Sequence, residues 1–163
     1  MGIYLGLGSN VGEREAQLRF AVAALKERNV ITWKSASLYW TQPRDVEDQP
    51  WFLNTVIEVR TLLEPAVLVE ACLEVEKEAG RIREIPRGPR TLDIDIILYK
   101  DRVVDTPTLS IPHPRFRERR FVLAPLAEVA ADFADPVSGL TMSQLLDLCP
   151  DEGVVRRENK GLL

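Results

Sequence analysis

The sequence predicts an α+β fold of the ferredoxin-like kind, an α/β sandwich built on a mainly antiparallel sheet. Apolar spacing switches between period two and helical period in the order strand–helix–strand–strand–helix–strand, which is the split βαβ pattern. The link between the second and third strands is short, which favours antiparallel pairing there. The 163 residues, 45% hydrophobic and 28% charged, suit one domain over residues 1–163 with a core of its own.

Residues 2–8 read as the first strand, with Gly2, Gly6 and Gly8 permitting close backbone approach. Ser9 and Asn10 follow as a turn, and Asn10 with Glu13 has the spacing of a capping box. Gly6, Gly8, Ser9 and Asn10 satisfy neither phosphate-loop nor dinucleotide fingerprint, so a structural turn is expected. Leu18, Ala21, Val22 and Leu25 form the buried stripe of the first helix. Residues 30–40 are β-branched and aromatic enough for a strand. A polar loop over 41–50 leads into residues 51–59, where Leu53, Thr55, Ile57 and Val59 alternate with Phe52, Asn54, Val56 and Glu58. Phe52 and Asn54 therefore share a face, where an aromatic plane beside an amide can hold a flat heterocycle.

Pro65 suits the first turn of the second helix, Leu68, Ala71, Cys72 and Val75 its buried stripe, and Gly80 its end. The stretch 87–99 follows an arginine-bearing loop and supplies another strand in its apolar run. Val103 and Val104 suggest a short return strand, and residues 106–114 a proline-punctuated loop. Residues 116–131 are helical in pattern, interrupted at Pro125, and residues 140–148 form a last helix. The polar tail after Pro150 is expected to fray.

The chemistry concentrates in the 92–99 strand. Asp93 and Asp95 stand at i and i+2, so both carboxylates project from one face, with Leu92, Ile94, Ile96 and Leu98 toward the core or with both faces mostly buried. Paired acids repel unless a cation lies between them, and Mg²⁺ favours a few carboxylates plus substrate phosphates. Arg87 and Arg90 bring guanidinium forks suited to phosphate. The net charge of −4 argues against general nucleic-acid binding. Within it, Arg81, Arg83, Arg87 and Arg90, and then Arg115, Arg117, Arg119 and Arg120, form two basic clusters that suggest a focused anion site. The chain has no stretch long enough for a membrane span and no secretory leader, so a cytoplasmic protein is expected. Cys72 and Cys149 lack metal-ligand spacing and read as free thiols.

These blocks together resemble the 6-hydroxymethyl-7,8-dihydropterin pyrophosphokinases. The resemblance is carried by Gly8-Ser9-Asn10, by Asp48-Gln49-Pro50-Trp51-Phe52-Leu53-Asn54, and by Glu76 with Gly80-Arg81-Ile82-Arg83. It continues in Gly88-Pro89-Arg90-Thr91-Leu92-Asp93-Ile94-Asp95-Ile96 and in Ile111-Pro112-His113 with Arg119 and Phe121. The resemblance implies transfer of pyrophosphate from ATP to the hydroxymethyl group of the dihydropterin, with two Mg²⁺ ions on Asp93 and Asp95. It implies that Arg81, Arg83 and Arg90 clamp phosphates as catalytic cations. Glu76, Ile96, Ser110, His113 and Arg119 match positions that contact ATP. Thr41, Gln42, Pro43, Arg44, Phe52, Asn54 and Phe121 match the pterin pocket, with the two rings stacking and Asn54 reading the ring edge. A monomer that binds neither nucleic acid nor membrane is implied. His113, the one histidine, is expected to contact phosphate rather than to act as a general base.

The chain departs from the family pattern in several places, among them Glu84 in place of a frequent basic residue. Gln42-Pro43-Arg44-Asp45-Val46 lacks a glycine, the loop from Arg83 to Gly88 is one residue short with Arg87 in place of tryptophan, and Phe52 replaces tyrosine. Two rival readings follow. One is an RNA-recognition domain of the same topology, against which two aspartates on the central strand would repel the ligand. The other is a family member that has lost catalysis and acts as a binding or regulatory protein.

Overall fold

The computed structural model describes residues 2–42, 50–80 and 92–163. In chain order, β1 (Ile3–Ser9) leads to α1 (Arg14–Lys26), then β2 (Ile31–Ser35), β3 (Ser37–Thr41) and β4 (Phe52–Arg60). α2 (Pro65–Glu78), β5 (Asp93–Tyr99) and a small ribbon of β6 (Val104–Thr106) with β7 (Leu109–Ile111) follow. A 3₁₀ turn (Phe116–Glu118), α3 (Arg120–Ala130), α4 (Met142–Leu148) and β8 (Val155–Gly161) complete the described fold. The main sheet runs β5-β1-β4-β3-β8, with β2 also on β4, and every pairing in it is antiparallel. This is the expected ferredoxin-like order with one strand added at the edge. β2 and β3 act as one strand broken at Ala36, whose N–H donates to the Val56 carbonyl at 2.9 Å.

Period-two alternation in β1 and β4 builds two cores. Ile3, Leu5, Leu7, Leu53, Ile57 and Val59 pack with Leu18 and Leu25 of α1 and Leu68, Cys72 and Val75 of α2. On the other face Tyr4, Val56, Ile97 and Leu98 pack with Phe116, Leu123, Leu126, Met142 and Leu145 beneath α3 and α4. Pro65 opens α2 and Gly80, at φ +78°, follows its last turn, as the sequence requires. Pro125 lies inside α3 without ending it.

Four expectations change. Leu92, Ile94 and Ile96 do share the α1/α2 core, but Leu98 crosses to the α3/α4 core and Tyr99 takes its place. The cause is a register shift against β1: Leu5 faces Ile96 and Tyr4 faces Leu98, so Ile97 is a bulged residue that reverses the alternation. The tail does not fray, because β8 pairs with β3 from Val155 to Gly161 and supplies a hydrogen-bonding partner for an otherwise open edge. Residues 106–114 are not all loop, since β7 pairs with β6. Asn10 is not a helix cap: Glu13 holds the N-cap position of α1 without a side-chain cap bond, and buried Asn10 donates its amide to the Pro50 carbonyl at 3.3 Å. A true capping box is found at Thr141 and Gln144, heading α4.

The second basic cluster is also divided. Asp135 is 1% exposed and receives two bonds from Arg117, Nε at 2.5 Å and Nη2 at 2.8 Å, plus the Ser138 hydroxyl at 2.7 Å. Burial alone would raise its pKa, but the bonds from Arg117, Ser138 and the Val137 N–H outweigh that and hold it at about 2. Asp135→Ala should therefore destabilise the fold by about 3–5 kcal/mol, because it strands a partly buried guanidinium. Urea unfolding of the wild type and variant measures that difference. The unfolded carboxyl titrates near 3.8, so the wild-type contribution should be complete above that pH and fade as pH falls toward 2.

Candidate active site

The site is laid out by strand register. Directly opposed residues of antiparallel strands share a face. Asp93 faces Gly8, Gly8 faces Asn54, and Asn54 faces Tyr39, which makes one row across four strands. One step along, Asp95 faces Gly6 and Gly6 faces Val56. Both aspartates, Asn54, Phe52 and Thr41 thus lie on the same sheet face as α3. Asp93 is half-buried and Asp95 exposed.

The glycines opposite the acids leave the sheet surface without side chains between the carboxylates and Asn54. At Gly8 a Cβ would stand 2.5 Å from the Asn54 amide oxygen, so any side chain there would displace that amide. Asn54 lies flat over that glycine and donates its amide nitrogen to the Thr41 hydroxyl at 2.6 Å. Thr41 in turn faces Phe52, which is half-exposed on the same side. Phe121 stands in the first turn of α3, and the Arg119 guanidinium lies 5.6 Å from the centre of its ring.

The remaining sequence candidates fall in three groups. Glu76 is 3% exposed, and its carboxylate accepts the Ile94 N–H at 2.8 Å, so it holds β5 at the residue between the two aspartates. Ile96 points into the α1/α2 core, which leaves its backbone as the part that can meet a ligand. Ser110 is half-buried on β7, and Gln42 is exposed just after β3. Arg81, Arg83, Arg90, Pro43 and Arg44 lie outside the described residues.

His113 follows a cis Ile111–Pro112 bond, and its N–H donates to the carbonyl of the bulged Ile97 at 2.9 Å. The histidine is thereby set along the outer edge of β5, two residues on from Asp95. Its Nδ1 accepts the Arg115 N–H at 3.2 Å, which leaves Nε2 as the protonated nitrogen. Burial, and then the Arg119 and Arg115 charges, push its pKa down to about 4. It is a neutral hydrogen-bond donor at pH 7, and a poor general base because its one lone pair is used.

Two features of the site escape a reading of the residues alone. One is the pairing of Gly6 and Gly8 with the acids, although their matched i, i+2 spacing was a signal. The other is Glu128 of α3, which accepts from the Ser37 N–H at 2.8 Å and the Tyr39 hydroxyl at 2.7 Å. It pins β3 beside Asn54. Burial, followed by this carboxylate, raises the Tyr39 phenol well above its ordinary range. No local pattern marks Glu128, because its partners are about ninety residues away in the chain.

Fold and site together define a class: a ferredoxin-like α+β protein with a carboxylate pair at one end of a sheet face and an amide–aromatic pocket two strands away. The particular family follows from comparison with known proteins. The model of the 7,8-dihydro-6-hydroxymethylpterin-pyrophosphokinase (HPPK) family matches residues 4–131, and the chain belongs to that family. The chain is 49% identical over 127 residues to the 2-amino-4-hydroxy-6-hydroxymethyldihydropteridine pyrophosphokinase of Bacillus subtilis, covering 77% of this chain and 76% of that one. It is 42% identical over 156 residues to the enzyme of the same name from Methylorubrum extorquens, covering 95% and 98%. A solved HPPK-DHPS chain in complex with substrates superposes with a TM-score of 0.69 at 12% identity, over 90% of this chain and 43% of that one, which supports the fold.

The histidine environment is open to direct measurement. An NMR titration should place the His113 midpoint near pH 4, against 6.5 for an unperturbed imidazole. Because the unfolded imidazole binds its proton first, stability should fall as pH drops from about 6.5 toward 4. A midpoint near 6.5 would show that the imidazole is neither buried nor facing the two arginines.

Proposed function

We propose that this chain transfers the pyrophosphoryl group of ATP to the hydroxymethyl group of 6-hydroxymethyl-7,8-dihydropterin. The observation that carries the reading is the single row Asp93–Gly8–Asn54, which sets the acid pair and the heterocycle amide on one bare face. Two strand spacings separate the outer members, roughly 10 Å, a span that a bicyclic ring with its hydroxymethyl arm can cross.

Asn54 presents its carbonyl oxygen over Gly8 as an acceptor for the pterin's ring-edge N–H, and Thr41 holds that orientation by accepting from the amide nitrogen. Phe52 and Phe121 supply planes for stacking. Asp93 and Asp95 are hard oxygen donors projecting from one strand face, which fits Mg²⁺. Among the described residues no group of three or more His, Cys, Asp and Glu could hold a metal, so phosphate and water oxygens would complete the coordination. Two ions bound with ATP would neutralise phosphate charge and orient the reacting oxygens. His113 donates Nε2–H to a phosphate oxygen, and Arg119 adds positive charge beside Phe121. Arg81, Arg83 and Arg90 are assigned as the remaining phosphate clamps.

In the reaction the substrate hydroxyl oxygen bonds to the β-phosphorus and the bond from that phosphorus to the α-phosphate oxygen breaks. AMP leaves, and the hydroxyl proton is lost. The chain is proposed to act as one domain over residues 1–163, as a cytoplasmic monomer without nucleic-acid or membrane partners. Among the described residues no helix is long and apolar enough to cross a membrane.

Purified protein given ATP, Mg²⁺ and the dihydropterin should release AMP only when the pterin is present. Folded protein that releases none would favour the binding-protein alternative. Asp95→Ala should lower kcat/KM by about a thousandfold or more, on the scale of removing several kcal/mol of charge stabilisation. Its circular dichroism should be unchanged, since Asp95 is exposed. Normal turnover in that variant would sink the metal assignment.

A further inference from the structure

Beyond residues 4–131, which the family model matches, the chain carries β8 on the sheet, and β8 begins beside the pocket. Val155 faces Thr41, and Arg156 faces Trp40. On the sheet face opposite the pocket, the Arg156 guanidinium lies 5.0 Å from the centre of the Trp51 ring. Arg14, opening α1, donates Nε to the Trp51 carbonyl at 3.0 Å and sets its guanidinium 5.5 Å from the Trp40 ring. Trp40 donates its indole N–H to Glu158 of β8 at 2.5 Å. Asn10 adds its bond to the Pro50 carbonyl. The strand ends at Thr41 and at residues 50–51 are therefore held by groups drawn from the turn before α1, from α1 itself and from β8.

We propose that Arg156 and Trp51 form a clip that positions Phe52 and Thr41 for the pterin. Neighbouring strand residues point to opposite faces, so fixing the Trp51 ring and carbonyl on one side sets the direction of Phe52 on the other. The Thr41 hydroxyl accepts from Asn54, and the strand that carries it would be a sheet edge without β8. The clip touches none of the groups at β5, so it acts on one substrate and leaves the other alone. Arg156 and Trp51 are positioning residues and do not meet the ligand. In its kinetic arm the inference rests on the pterin reading above.

The test compares Arg156→Ala, Arg156→Lys and Trp51→Leu with the wild type by steady-state kinetics and by amide hydrogen exchange. Arg156 is exposed, so its loss spares the core. Arg156→Ala should raise the pterin KM by about three- to tenfold, the range of a cation–π contact, with kcat and the ATP KM unchanged. Arg156→Lys should restore part of the loss. Trp51→Leu should mimic Arg156→Ala, and the double variant should be no worse than either single one. Exchange should quicken at residues 51–54 and not at 94–97. Unchanged exchange at 51–54, or equal quickening in both segments, overturns the clip. Local quickening in an active enzyme with an unchanged pterin KM overturns its role in positioning. A wild type that yields no AMP defeats the pterin reading, while the exchange comparison still decides whether the clip exists.

Discussion

The site depends on the hydrogen-bonded register of β1 between β4 and β5. β1 is the strand both neighbours read, and its glycines at 6 and 8 fall opposite Asp95 and Asp93 on one side and Val56 and Asn54 on the other. A slip of one residue along either ladder would send the carboxylates or the amide to the wrong face. The buried members of the neighbouring strands, Leu53, Ile57 and Val59 of β4 and Ile94 and Ile96 of β5, oppose that slip, because it would turn them away from the α1/α2 core. The face that carries the candidate site is thus held by the core on its reverse side.

Polar groups then fix what apolar packing leaves loose. Glu76 bonds the edge strand between its two aspartates, Glu128 fastens α3 to β3, and Asp135 gathers Arg117, Ser138 and Val137. Each carboxylate is satisfied by several donors or by a backbone N–H, which is how a buried charge is tolerated. The three lie on different elements around the sheet. Together they hold the strands and turns that carry the candidate ligand contacts, including the edge where His113 meets β5.

Much of the fold was legible because period-two and helical patterns were strong in β1, α1, β4 and α2. The family motifs around Asp93 and Asp95 and over residues 48–54 were also unambiguous, and the resemblance named residues that the described structure gathers on one face: the two acids, Asn54, Phe52 and Thr41. Glu76 is bonded to β5, and Ile96 is buried with its side chain in the core. The polar tail showed no apolar alternation, so its strand was missed. β8 is stabilised by backbone pairing to an open edge, and that pairing leaves little trace in residue type. The Ile97 bulge was equally hidden, since Ile96, Ile97 and Leu98 are alike in character while their alternation reverses between the two cores.

By itself the sequence determined the order of the first two helices and the strands around them, the two acids on one face of their strand and the aromatic–amide pair on one face of a second strand, since these follow from local periodicity. It also determined the family, through motifs long enough to be specific. Only the tertiary structure decided that Gly8 joins Asp93 to Asn54, that Arg117 serves Asp135 and not an anion, and that β8 closes the sheet beside Thr41. Those are relations between residues 18 to more than a hundred positions apart. They are set by strand register and charge pairing in the folded chain, which no local window of sequence contains.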